Sequence, residues 1–463
     1  MKLSRIQNIV IIALVIAAVF QTGKLWLYSN DSYNFFYTIF RNFDKNSIRY
    51  AGETYPIEPT EIFVGFGNKK FSKFYSNSDE NGIYEQGVNA IFEIFEQGRF
   101  SSQYKLNWED ILLYKNIMFK YAKSINISDF KYSFYKKYND NDKIFLFDTI
   151  VIYPQMNYSS ILKVIFINSQ DNNCFEYSIL DSKYAQNVYN IIEKQQNEEI
   201  KLSNNITYIS TKQSGFNIFS NNTFVPQWSG NEFYYNYIKR INPFESNNIF
   251  SLNLLESYVD NFFENNNSKW IETDETGAYL FSDDNVVVKY LSSGILEYYN
   301  YEPYENKFPQ NFITSYSVAK NFLKTDSSLR TDVYLLDWNF NDDEITYYFN
   351  YTINNMPIIP SEIFSNIYNM NSCIEITVKN NNVKKYRRIA YNYEKDAKVS
   401  YINKEFIKAI DEAVMLKYQK DNEKFITNVD NISLGYYMGN RDVLKLRWFT
   451  TIEDKIYITD SNK

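Results

Sequence analysis

The sequence predicts an α+β protein with one N-terminal transmembrane helix, followed by an extracytoplasmic, multi-domain body of helices packed on antiparallel sheets. Three observations lead to this prediction. The first 28 residues contain an apolar segment, and the rest alternates helical apolar stripes with short runs that have the two-residue period of strands. Hydrophobic residues make up 44% of the 463 residues and aromatic residues 19%, which is ample for packed cores. A chain of this length is expected to divide into several domains.

The predicted transmembrane helix covers residues 6–28, after a cytoplasmic tip at residues 1–5. Residues 9–20 are an unbroken apolar run. About 23 helical residues span roughly 34 Å, which is enough to cross a hydrocarbon core of about 30 Å. Lys2 and Arg5 precede the run and predict a cytoplasmic N-terminus.

Two groups of residues in this segment have predicted roles. Trp26 and Tyr28 stand where aromatic side chains anchor a helix at the membrane interface. Ala13, Ala17 and Ala18 are small residues that cluster on one part of a helix otherwise rich in Ile, Leu and Val. Small residues four apart allow close approach of a partner helix, so this face is a candidate helix–helix contact. Plain anchoring is the simpler alternative.

A cleaved signal peptide is the competing interpretation, because a basic start and a short apolar run are features of both. No A-x-A cleavage site follows the run, and Lys24 and Trp26 make a poor cleavage region. We therefore favour a retained helix.

The body after the helix is divided into a connector and three predicted domains. Pro56 marks the connector as a break in regular structure. The predicted boundaries are a juxtamembrane connector at residues 29–59, an N-terminal α+β domain at 60–230, and middle and C-terminal helix-plus-antiparallel-sheet domains at 231–355 and 356–463.

The N-terminal domain is predicted to mix helices and strands. Helices are expected at residues 84–96, 108–122 and 184–195, and strands at 61–64, 143–153, 161–167 and 206–210.

The second half repeats one pattern, a helix followed by an antiparallel sheet. A helical stripe over residues 252–263 precedes predicted strands at 278–281, 286–291 and 295–299, and a stripe over 406–414 precedes strands at 433–438, 443–449 and 455–459. Between them we predict a helix at 317–323 and strands at 332–338, 344–353, 373–378 and 383–391. An amphipathic helix on a sheet with one wet face buries the apolar side of both.

Composition excludes several classes of function. The 48 basic and 55 acidic residues give a net charge of -7, which disfavours a nucleic-acid partner. The chain has no histidine, so it lacks the commonest general base and the commonest nitrogen ligand of zinc. Cys174 and Cys373 form no CxxC motif and are interpreted as ordinary buried cysteines. We predict no catalytic residue, no cofactor and no metal site.

Weak motifs do not change that prediction. Ser317 and Lys320 match the S-x-x-K spacing of penicillin-binding enzymes, but Ser160 and Lys163 match it equally well, and K-T-G and S-D-N are absent. We interpret both matches as chance spacing.

Two further motifs are interpreted as turns. Gly65 and Gly67 lack the third glycine of a dinucleotide-binding loop. The acidic clusters Asp283-Asp284 and 342–344 each lie between two predicted strands, where solvated turn residues are common.

Five short segments resemble the YycH regulatory family of low-GC Gram-positive bacteria. They are QTGKLW at residues 21–26, VVVKY at 286–290, GILEY at 294–298, KKYRR at 384–388, and the strand LKLRW at 444–448. The layout of an anchor followed by an exterior body resembles that family over the whole length.

The resemblance implies a non-enzymatic regulator of an essential two-component sensor histidine kinase that controls cell-wall metabolism. It implies a single-pass protein of the cell membrane that contacts the kinase, and a related YycI-type protein, through transmembrane helices. A cell-envelope binding or assembly module that docks wall polymer or a secreted protein is the alternative. A hydrolase that uses carboxylates alone is a more distant one.

Overall fold

The computed structural model describes residues 55–76, 82–134, 144–156, 160–201, 206–247, 249–263, 269–301, 312–341, 343–421, 428–439 and 442–462. The chain from Tyr50 to Lys463 clusters as one compact unit. Among the described residues, no helix combines the length and the apolar character that crossing a bilayer requires. The predicted transmembrane segment at residues 6–28 lies outside the described part.

Nine of the described strands form a first, wholly antiparallel sheet in the order β3-β7-β6-β5-β4-β1-β2-β8-β9. The strands are β1 (Glu61–Phe66), β2 (Phe71–Phe74), β3 (Arg99–Lys105), β4 (Lys115–Asn126), β5 (Leu146–Met156), β6 (Ser160–Asn168), β7 (Asn173–Ile179), β8 (Thr207–Ser210) and β9 (Phe224–Gln227). The helices of this part are α1 (Ile83–Gln97), α2 (Trp108–Ile111), α3 (Ile127–Tyr132) and α4 (Ala185–Lys201).

Both faces of the central strands of this sheet are buried. Ile117 and Phe119 on β4 point into the core under α1 and α4, whereas Met118 points into a second cluster with Phe63 and Tyr153. Successive strand residues face opposite sides, so a central strand that is covered on both sides has a continuous apolar run.

The predicted helix at residues 108–122 is wrong. The helix α2 ends at Ile111, and the remaining residues enter β4, which pairs with β1 and β5. The run from Ile117 to Phe119 is buried throughout, and a run of this kind carries no periodicity that separates a strand from a helix.

Fourteen of the described strands form the second sheet. They are β10 (Phe233–Ile241), β13 (Trp270–Thr273), β14 (Tyr279–Ser282), β15 (Val286–Tyr290), β16 (Ile295–Asn300), β17 (Val333–Asn341), β18 (Glu344–Ile353), β19 (Met356–Pro360), β20 (Ile374–Lys379), β21 (Asn382–Ile389), β22 (Asn392–Ile402), β23 (Asn431–Met438), β24 (Val443–Ile452) and β25 (Lys455–Asp460). Its main path is β13-β14-β15-β16-β21-β20-β18-β19-β23-β24-β10-β22, with β17 on β18 and β25 on β24. A small hairpin of β11 (Glu245–Ser246) and β12 (Ile249–Phe250) stands apart, and β19 runs parallel to β23.

Four described α-helices belong to the second half; the sequence predicts three of them and does not predict the helix at Glu362–Tyr368. They are α5 (Leu252–Val259), α6 (Phe312–Thr325), α7 (Glu362–Tyr368) and α8 (Phe406–Asp421). Helix α6 contacts β18, β20 and β21, and α8 contacts β24 and β25. The α+β class with helices on largely antiparallel sheets is therefore confirmed. The boundaries at residues 230 and 355 stay predictions; β16 and β21, on either side of the second one, are hydrogen-bonded neighbours.

Gly294 in the turn between β15 and β16 is expected to tolerate no side chain. Its φ is +82°, and an added Cβ would lie 2.4 Å from Cζ of Tyr391. Gly294→Ala is expected to lower the free energy of unfolding by about 2 kcal/mol or more, because backbone strain and a ring clash act together. Urea denaturation measures the loss.

Gly277 is the matched control for Gly294. Its φ is +77°, but an added Cβ would meet nothing within 4 Å. Gly277→Ala is expected to lose only the backbone contribution, about 1 kcal/mol. Equal losses in the two variants would show that the Tyr391 ring does not constrain the turn.

Candidate functional site

The last residues of the connector lie on helix α6. The backbone N–H of Tyr55 donates a hydrogen bond to Oγ of Ser317 at 2.8 Å, and that hydroxyl donates to the carbonyl of Ile313 at 3.0 Å. The connector is thus hydrogen-bonded to the second sheet's helix before β1 of the first sheet begins.

An ion pair fixes the next turn of the same helix. The ammonium group of Lys320 donates to Oε2 of Glu58 at 2.8 Å, and both side chains are buried. Ser76 donates a second hydrogen bond to the same oxygen at 2.9 Å. The attraction within a buried ion pair offsets the cost of removing both charges from water only when the geometry is good and further hydrogen bonds satisfy the charged groups. Both conditions are met in this pair.

Lys324, one turn beyond Lys320, makes a further contact between helix α6 and the connector. Its ammonium group donates to the hydroxyl of Tyr55 at 3.0 Å and stands 4.2 Å from the centre of the ring, which adds a cation–π attraction. We name this set the connector clamp, and its members are Tyr55, Glu58, Ser317, Lys320 and Lys324.

A second charged group lies on β1 and β2, close to where the connector enters the first sheet. Glu61 pairs with Lys73 and is 3.9 Å from Lys120. Burial alone would raise the pKa of Glu61 and lower that of Lys73, but the attraction between the two outweighs it. The pKa of Glu61 therefore lies below its usual value and that of Lys73 well above.

Contacts between the two sheets surround the clamp. The rings of Tyr75 and Tyr334 pack with centroids 4.2 Å apart, and Lys123 on β4 pairs with Asp337 on β17 at 3.0 Å. Helix α3 also contacts α6. The connector is therefore fixed beside the junction of the first and second sheets.

Comparison with known proteins addresses the fold. No family model and no curated protein matches the sequence. Among solved structures, the chain is similar to YycH from Bacillus subtilis, with a TM-score of 0.53 and 14% identity over 89% of this chain and 97% of that one. The chain has the YycH fold. An uncharacterized protein from Eubacterium rectale aligns with 52% of this chain and 89% of its own at 11% identity, but with a TM-score of only 0.29.

In this YycH fold, the S-x-x-K residues hold the connector. Lys320 is neutralised by Glu58, and the hydroxyl of Ser317 is engaged by Tyr55 and Ile313. Ser160 and Lys163, the residues of the other match, lie along β6, and Lys163 pairs with Glu176 at 3.3 Å. The geometry of neither match is that of a lysine activating a serine.

The acidic clusters have structural partners in the same fold. Asp283 lies between β14 and β15 and accepts hydrogen bonds from the backbone N–H groups of Asn285 and Val286, as a turn residue does. Asp343 and Glu344, the latter at the start of β18, both pair with Lys379. Asp342 lies outside the described residues.

The cysteines are buried, as predicted, and both are free thiols. Burial raises the pKa of Cys174 and of Cys373 to about 12, so both stay protonated near neutral pH. Within the described ranges, no three acidic or cysteine side chains converge as a metal-binding group. Gly67 has a φ of +75° just after β1, which fits the predicted turn.

The residues predicted from the transmembrane segment, Ala13, Ala17, Ala18, Trp26 and Tyr28, lie outside the described residues. The sequence interpretation missed Glu58 and Tyr55 as site residues. Glu58 and Lys320 are separated by 262 positions, and the only available signal was the three-residue spacing that puts Ser317 and Lys320 on one helix face.

Proposed function

We propose that the chain is a membrane-anchored extracytoplasmic regulator of a two-component sensor histidine kinase that controls cell-wall metabolism, and that it acts without catalysis. The observation that carries the proposal is the YycH fold over 97% of the solved YycH chain. Because a fold alone does not define a function, the sequence segments that resemble the same family are the second support.

In this proposal, the anchor and the connector clamp link the membrane to the exterior body of the protein. In the proposed topology, residues 6–28 cross the cell membrane once with the N-terminus in the cytoplasm. The connector then ends on α6, where Glu58 and Lys320 hold it. A displacement of the anchor would therefore act on α6 and the sheet beneath it.

The proposed partners are the kinase and a YycI-type protein, met through transmembrane helices. The test is affinity purification of the tagged full-length chain from solubilised membranes. The kinase is expected to co-purify. Retention on isolated wall material without the kinase would contradict the proposal and favour an envelope-binding module.

The face formed by Ala13 and Ala17 is expected to carry this contact. Ala13→Leu with Ala17→Leu keeps the segment apolar but blocks close helix approach, so co-purified kinase should fall roughly tenfold. The matched control is Ile11→Leu with Val15→Leu, which lies on the far side of an ideal helix and should leave the yield unchanged. Equal yields from both variants would show that any apolar anchor suffices.

A further inference from the structure

A cleft with polar and aromatic lining lies on the face of the second sheet that α6 leaves uncovered. Alternate residues of a strand face opposite sides. Tyr298, Tyr386 and Tyr347 pack into the core beneath α6, so their neighbours Tyr299 and Lys385 face the other way. The cleft has a volume of about 270 Å³.

Four strands place the lining side chains in one row. Tyr299 on β16 is opposite Lys385 on β21, which is opposite Thr377 on β20, which in turn is opposite Thr346 on β18. This row forms a floor of ring, ammonium and hydroxyl groups on a rigid sheet.

One wall of the cleft is aromatic. The rings of Tyr299 and Tyr301 are nearly parallel, at an interplanar angle of 19° with centroids 6.3 Å apart. Tyr301 is 65% exposed, and Lys385 stands 5.7 Å from the centre of the Tyr299 ring. The ring of Tyr301 is therefore the aromatic surface of the cleft that solvent reaches.

The opposite wall is polar, and hydrogen bonds between its side chains hold them in place. Glu344 accepts from Lys384 at 3.1 Å, and the hydroxyls of Thr346 and Thr377 are 2.9 Å apart. Asn341 adds an amide at the rim. These groups offer fixed donors and acceptors at the edge of a flat ring surface.

We propose that this cleft binds a saccharide. A sugar ring has an apolar face of C–H groups that packs on Tyr301, and an edge of hydroxyl or acetamido groups that hydrogen-bonds to Glu344, Lys384 and Asn341. The volume is just below the range of about 300–1,000 Å³ usual for small-molecule sites, which suits one or two sugar rings. This site is independent of the proposed contact with a kinase.

The test measures binding of N-acetylchitotetraose to the full-length chain by titration calorimetry. The chain is held in lipid nanodiscs, because maltoside detergents carry sugar headgroups that would compete. Saturable binding with a 1:1 stoichiometry is expected. Tyr301→Ala should weaken it about threefold to tenfold, because the exposed ring supplies the stacking surface.

Tyr114→Ala is the matched control, since Tyr114 is 60% exposed and lies outside the cleft. It should leave the affinity unchanged. The proposal is overturned if no saturable binding is found, if Tyr301→Ala binds like the parent, or if both variants weaken binding equally. Binding of a hexaglutamate peptide in place of the sugar, lost at high salt, would likewise overturn it and indicate an acidic-peptide site.

Discussion

Asp326→Asn is expected to lower the free energy of unfolding by about 3–5 kcal/mol, because it leaves the guanidinium group of Arg388 buried without a counter-charge. The Asp326 and Arg388 side chains are 1% and 0% exposed, and Nη1 of Arg388 is 2.8 Å from Oδ2 of Asp326. Asparagine has nearly the same shape as aspartate, so the loss of unfolding free energy measures the contribution of the charge. Urea denaturation followed by tryptophan fluorescence measures it.

The neighbours of this pair make it hard to replace. Arg388 also donates to Oγ of Ser328 at 2.7 Å and to the hydroxyl of Tyr351 at 2.9 Å, and Tyr386 donates to Asp326 at 2.5 Å. Each of these groups is buried, so each would lose a partner that water cannot replace. The pair therefore joins the turn after α6 to β21 and β18.

The same pair predicts a pH dependence with a defined sign. Burial alone would raise the pKa of Asp326, but Arg388, Tyr386 and Ser328 outweigh it and hold the pKa below its usual value. The unfolded state then binds more protons in acid. The stabilisation is fully present above the unfolded value of about 3.9 and is lost as the pH falls through the lower folded value. In Asp326→Asn this part of the acid dependence should be absent.

An exposed ion pair of the same chemistry is the control. Arg447 on β24 is 2.7 Å from Asp460, whose side chain is 71% exposed. Asp460→Asn should change stability by no more than about 1 kcal/mol. If Asp326→Asn were equally mild, water or a rearranged partner would have to reach Arg388, and the buried network would not hold α6 to the sheet.

The two halves of the fold differ in how far the sequence predicts them. In the second half, Ile374, Ile376 and Val378 alternate with more polar residues, and the structure buries these three on one side of β20. This two-residue alternation arises because one face of the sheet is exposed to solvent. β4 of the first sheet has no wet face at residues 117–119, so its sequence carries no period and was misread as a helix.

The candidate site was harder to predict than either sheet. Ser317 and Lys320 were visible as a spaced pair, but their partners Tyr55 and Glu58 lie at the other end of the chain. A side chain that is buried through an ion pair with a distant residue leaves no local pattern. Lys320 is tolerated on the inner face of α6 because the fold brings the connector, with Glu58, to this helix. The sequence alone does not show that topology.

Lys320→Met is expected to release the connector from α6. The methionine fills similar space but leaves the carboxylate of Glu58 buried without its counter-charge, so the clamp should lose about 3 kcal/mol of stability. The hydrogen bond from Ser76 does not replace that charge. Local opening then becomes easier than global unfolding. Hydrogen exchange of the Tyr55 and Thr60 amides, which are bonded to Ser317 and to the carbonyl of Lys120, should accelerate.

Lys324→Met is the matched control, since Lys324 touches Tyr55 from the same helix but from an exposed position. Its effect on exchange should be small, because an exposed contact contributes little. Unchanged exchange in Lys320→Met would show that buried apolar contacts such as Ile57 hold the connector without the ion pair. If the clamp does couple the anchor to the body, Lys320→Met should retain kinase co-purification through an intact transmembrane helix while it alters cell-wall gene output. The variant at Ala13 and Ala17 should lose both, because it acts on the contact itself.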